Sequence, residues 1–141
     1  MNPYIAARHQ PARPAPMSRI DLLLAMYDGA IERLQTARGL LKAGNAAAAR
    51  PLVARVQLIV SEMAAGVRLE VNEDMGTNYL RLYEFVVDRL TGMTDVHIAD
   101  ALKILVTLRG GFAGVRDEAV AMERRGEFTS SDRLMTLCET A

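Results

Sequence analysis

The sequence predicts an all-α protein, folded as an antiparallel up-down four-helix bundle. Three observations carry this. Four stretches repeat apolar residues at three- and four-residue spacing. Short turns rich in Gly, Asn, Thr and Asp separate them, which makes successive helices antiparallel neighbours. No stretch alternates Val, Ile and Thr in the two-residue period of a strand. The expected organisation is a flexible N-terminal arm over 1–17, the bundle over 18–126, and a C-terminal tail over 127–141 with a short extra helix around Leu134 to Leu137.

The arm holds four of the five prolines, Pro3, Pro11, Pro14 and Pro16. Proline removes amide donors and disfavours helix at the residue before it. Ser18 and Asp21 then form an S-x-x-D capping pair ahead of the first helix. Its inward seam is Ile20, Leu23, Tyr27, Ala30, Leu34, Ala37 and Leu41. Gly29 lies mid-helix, where glycine costs about 0.5–1 kcal/mol relative to alanine and calls for a packing reason. Gly44 supplies a left-handed stop near Ala43, and Asn45 can cap the second helix.

The second helix carries Val53, Val56, Val60, Met63 and Val67 on one face. Pro51 either kinks the helix near Ala47, the favoured reading, or is the first helical residue after an irregular Ala-rich turn. Residues 70–76 read as a connector. The third helix is expected from Thr77 to Thr91 with Tyr79, Leu82, Val86 and Leu90 inward. Gly92 to Thr94 form a turn, Asp95 caps the fourth helix, and its seam runs Ile98, Ala101, Leu105, Leu108, Phe112, Val115, Ala119 and Met122 to a stop at Gly126. Gly110, Gly111 and Gly114 imply either a break in that helix or a backbone packed close against it.

Composition narrows the function classes. Lys+Arg and Asp+Glu are equal at 17 each, so no net field draws nucleic acid or an anionic membrane. Cys138 is the only cysteine, which fits a reducing compartment. No apolar run approaches the roughly 20 residues of a membrane span, and no signal-peptide core is evident. A cytoplasmic protein without direct membrane insertion is the expectation.

Chemistry for catalysis is sparse. His9 and His97 are the two histidines. No Glu-x-x-His pair supplies a di-metal site, and nothing assembles a nucleophile, a base and an oxyanion donor. The reading is not an enzyme, with no cofactor and no metal. Apolar surface, by contrast, exceeds what one seam per helix needs. Leu22, Met26 and Leu40 flank the first seam on one side, and Leu24 and Ile31 on the other. Leu80, Tyr83 and Val87 flank the third, and Ile104 and Val106 the fourth. This surplus either thickens the core or forms a groove for a partner helix.

The order of motifs resembles one family over about residues 2–116. Asn2-Pro3-Tyr4 looks like its N-terminal tyrosine motif, and Ser18 with Leu22 like its first cap. Met26-Tyr27-Asp28-Gly29-Ala30 is similar to its Leu-Tyr-Asp-Gly-Ala. Val56-Gln57-Leu58-Ile59-Val60-Ser61-Glu62-Met63 is similar to its Ala-Gln-x-Ile-Ile-x-Glu-Leu. Asn78-Tyr79, Leu82-Tyr83-Glu84-Phe85 and Arg89-Leu90 match its third-helix pattern, and Leu108-Arg109 with Phe112 its Leu-Arg then Trp. The family is FliS, the flagellin-specific secretion chaperone of the bacterial flagellum. The chain departs from it at Arg19 (usually proline), at Ala7 (the second tyrosine), at Asn72-Glu73 (Gly-Gly), and at Gly110-Gly111.

The resemblance implies a chaperone that binds the C-terminal segment of flagellin in hydrophobic grooves. It implies that premature polymerisation is blocked and that flagellin is delivered to the export gate protein FlhA. A monomer or weak homodimer is expected. The residues expected at the client are Leu22, Met26, Tyr27, Asn78, Tyr79, Leu82 and Tyr83, with Tyr4 as a mobile plug. Tyr27, Tyr79 and Leu82 also suit plain core, Asn78 also suits a brace at the start of its helix, and Leu22, Met26 and Tyr83 are the better surface candidates. The alternatives are a same-fold chaperone for another flagellar client and a helical-bundle cofactor carrier.

Overall fold

A computed structural model describes residues 17–70 and 72–126. They form five helices: α1 Arg19–Lys42, α2 Ala46–Ala65, α3 Glu73–Leu90, α4 Asp95–Gly114 and the short α5 Arg116–Arg124. The first four pack antiparallel, α1 against α2 and α4, and α3 against the same two. α1 and α3 therefore face each other across the bundle's diagonal. The short α5 folds back onto α1 and α4.

Side-chain caps set the starts. Ser18 Oγ accepts from the Asp21 amide at 3.2 Å, and Asn45 Oδ1 from the Ala48 amide at 3.2 Å. Each satisfies a donor that the first turn leaves without an intrahelical acceptor. At the end of α1, Gly44 takes φ 77°, and the Asn45 amide reaches back to the Leu40 carbonyl at 2.8 Å. The α2 helix starts at Ala46 and runs through Pro51 as one element.

Four boundaries differ from the sequence reading. α2 ends at Ala65, so Val67, expected on its apolar face, lies beyond the helix. α3 begins at Glu73, inside the stretch expected to be a connector. Asn72 is its cap, accepting from the Met75 amide at 3.1 Å, and Glu73 and Asp74 place negative charge where the helix dipole favours it. Met75 and Gly76 are buried, and a Cβ at Gly76 would fall 2.9 Å from Leu69 Cδ2, so the preceding loop lies tightly over the first turn. The cap of α4 is Thr94, whose Oγ1 accepts from the His97 amide at 3.2 Å, while Asp95 is the first helical residue. The expected fourth helix is two: it runs through Gly110 and Gly111 to Gly114, breaks at Val115 (φ −112°, ψ 9°), and resumes as α5 without a side-chain cap. Gly126, at φ 69°, ends α5.

The core is aliphatic with one aromatic cluster. Tyr27 stacks on Phe112 at 5.7 Å between centroids, Phe112 on Tyr79 at 6.0 Å, and Tyr79 on Tyr83 at 6.3 Å. The seam of α3 is Met75, Tyr79, Tyr83, Val86 and Leu90. This corrects the expected phase: Tyr83 is inward and Leu82 is 36% exposed. Leu82 and Tyr83 are adjacent and lie three and four residues after Tyr79 and four and three before Val86, so periodicity alone admits either. Tyr83 wins the interior because its hydroxyl finds a buried partner there.

Arginine forks join α1 to the helices on one side of it. Arg109 grips Asp28, Arg38 grips Asp95 at 2.8 and 3.2 Å, and Arg116 of α5 grips Asp21 at 2.8 and 2.9 Å. The Arg116 fork holds the Asp21 carboxyl down at a pKa of about 2, helped by the Ser18 hydrogen bond. Arg89 bonds Asp100 at 2.8 Å between α3 and α4. Between α2 and α3, Gln57 Nε2 donates to the Val87 carbonyl at 3.0 Å.

Candidate functional site: an open groove between the second and third helices

Beside the Gln57 link, α2 and α3 leave a groove of about 770 Å³. Ser61 and Ala64 form its α2 wall. Leu80, Tyr83, Glu84 and Val87 face them from α3, and Arg81, Phe85, Asp88 and Thr91 continue the lining along that helix. Leu80, Glu84 and Val87 are spaced four and three apart, so they rise on successive turns of one flank. Phe85 is 44% exposed, with Arg89 over its ring at 5.6 Å. An apolar trough flanked by charged side chains suits a polypeptide better than a small polar substrate. Among the described residues, no group of three or more His, Cys, Asp or Glu could hold a metal ion.

The expected client residues divide. Tyr27, Tyr79 and Tyr83 come together, but in the core, at 0%, 8% and 1% exposure. Tyr83 as a surface candidate is thereby corrected, although its edge forms part of the groove's lining. Leu22 is exposed and Met26 half-buried, both on α1. Leu22 and Gly29 each come directly after an aspartate bonded to Arg116 or Arg109, and a step of about 100° turns them away from that seam. Asn78 is exposed and does not cap α3, that role belonging to Asn72. Leu82 shares a flank with Arg89, seven residues on, which faces α4. Leu22 and Leu82 thus stand apart from the groove and from each other. Tyr4 lies outside the described residues, as does the tail around Cys138.

Leu80 and Val87 stand out in the sequence as surplus apolar residues, whereas Ser61, Ala64 and Phe85 enter the site only with the fold. Phe85 is adjacent to that surplus in the chain. Ala64 and Ser61 are small and carry no signal until α3 is packed against them. Among the described residues, no helix packs on Gly29: a Cβ there would meet only Arg33 Nη1 at 3.0 Å, and that nitrogen donates to the Gly29 carbonyl at 2.9 Å.

The chain matches the family described as Flagellar protein FliS over residues 2–119. It belongs to the FliS family. Membership implies a flagellin-export chaperone role, and FliS proteins are chaperones rather than enzymes. No curated protein and no solved structure matches the chain. The FliS match takes in α1 to α4 and ends within α5, at Ala119. The groove, the aromatic cluster and the arginine forks on Asp21, Asp28 and Asp95 therefore lie inside the family region. Among the described residues, no helix is long and apolar enough to cross a membrane.

Proposed function

We propose that the chain is a cytoplasmic flagellar export chaperone that holds the C-terminal segment of flagellin in the α2–α3 groove, keeps it from polymerising early, and delivers it to FlhA. The observation that carries this is the open apolar trough in a FliS-family bundle whose other side is closed by arginine forks. A client helix that is sticky before assembly gains about 25 cal/mol for each Å² of apolar surface it buries there. Ordering the client offsets about 2–5 kcal/mol of that gain, which keeps the complex releasable.

Calorimetry with the C-terminal segment of flagellin tests the reading. The expected signature is a negative heat-capacity change. Leu80→Asp and, independently, Ala64→Arg abolish binding while the melting temperature stays close to that of the parent protein. Full affinity in both variants overturns the groove assignment.

A further inference from the structure

Glu84 and Asp88 stand one turn apart on α3, both exposed and both in the lining of the groove. Neither makes an ion pair among the described residues, and neither does Arg81 at the other end of the same lining. Two like charges at this spacing disfavour a helix. Asp88 adds to the penalty, because α3 ends at Leu90 and the last turn of a helix disfavours negative charge. The free protein thus carries an electrostatic conflict along the apolar floor formed by Ala64, Leu80 and Val87. A cation brought by the occupant would resolve it.

We propose that this charge arrangement selects and orients the occupant: the groove takes an amphipathic helix with a basic side chain against Glu84 and Asp88. An acidic side chain on that helix lies against Arg81, one turn from Glu84 and about 10 Å from Asp88. The apolar floor supplies affinity that is indifferent to direction. The Arg81-to-Asp88 polarity makes one direction of the client helix favourable and the reverse a meeting of like charges. The inference rests on the reading that the groove is the client site and names the chemistry it recognises.

The test uses the full chain with the C-terminal segment of flagellin as the probe, at low and at high salt. Glu84→Gln/Asp88→Asn is expected to bind about tenfold more weakly at low salt and to converge on the parent protein at high salt. Its melting temperature rises, because the like-charge pair is gone, so stability and binding move in opposite directions. Binding within twofold of the parent at low salt overturns the charge code, and if Leu80→Asp abolishes binding in the same assay the groove reading survives that failure. Full binding by Leu80→Asp overturns both.

Discussion

The hydroxyl oxygens of Tyr27 and Tyr83 lie 2.7 Å apart inside the bundle, joining α1 to α3 across its diagonal. Both residues are at most 1% exposed. Phe112 and Tyr79 complete the cluster, so one polar contact is embedded in ring packing from three helices. Such a bond is worth about 1 kcal/mol net, and a hydroxyl left behind without it costs about 1–3 kcal/mol. Tyr27→Phe and Tyr83→Phe should each destabilise by about 1 kcal/mol or more. The double variant should fall short of the sum, with a coupling of about 0.5–3 kcal/mol in a denaturant-based cycle. Tyr83→Asp should unfold the bundle outright, since it buries an unpaired charge; retention of native helicity would contradict this placement.

Acid should loosen α5 before the core. The Asp21 carboxyl, ordinarily at 3.8, is held near 2 by the Arg116 fork. A lowered carboxyl contributes stability that is complete above its unfolded value and is lost as pH falls through the folded one. Between pH 3.8 and 2, the Asp21 contribution to docking α5 on α1 therefore fades. A nine-residue helix has little stability of its own, so undocking should show as faster amide exchange in Arg116–Arg124. Asp21→Asn should show fast exchange in α5 already at neutral pH, with no further acid step from this site.

Two glycine substitutions should have opposite signs. A Cβ at Gly92 would fall 2.2 Å from Nδ1 of His97 and would displace the ring from its 2.6 Å contact with Thr94 Oγ1. Thr94 is also the cap of α4, so Gly92→Ala should destabilise by about 1–3 kcal/mol. At Gly110, in a helical stretch, a Cβ meets nothing within 4 Å among the described residues, and Gly110→Ala should stabilise by about 0.5–1 kcal/mol. Denaturant midpoints at unchanged slope check both.

What the chain shows by itself is local chemistry. Ser18, Gly44, Asn45 and Gly126 act as the spacing rules expect, because a cap or a left-handed stop involves only a few neighbouring residues. The bundle was equally legible, from the seams of α1 and α2. The phase of α3 was not, since Leu82 and Tyr83 both fit the spacing between Tyr79 and Val86, and only a partner such as the Tyr27 hydroxyl decides which of them turns inward. The break at Val115 was partly visible: Gly114 beside it marks a possible break, while the apolar spacing from Phe112 to Ala119 continues across it. The groove was half visible. Leu80 and Val87 stood out as surplus, but its other wall is Ser61 and Ala64, whose small size matters only once two helices are side by side.

The exposed apolar residues away from the groove give the last prediction. Leu22 on α1 is 55% exposed and Leu82 on α3 is 36% exposed, and neither lines the groove. A client confined to the groove would ignore both, whereas a segment that wraps the bundle would touch each in turn. Leu22→Ser and Leu82→Ser should leave the melting temperature almost unchanged, because exposed side chains contribute little to the fold. Under wrapping, each lowers affinity for the flagellin segment several-fold. Their effects add in the double variant, since sites with no shared partners are independent. Parent-like affinity in the double variant, alongside loss of binding in Leu80→Asp, would restrict the client to the trough between α2 and α3.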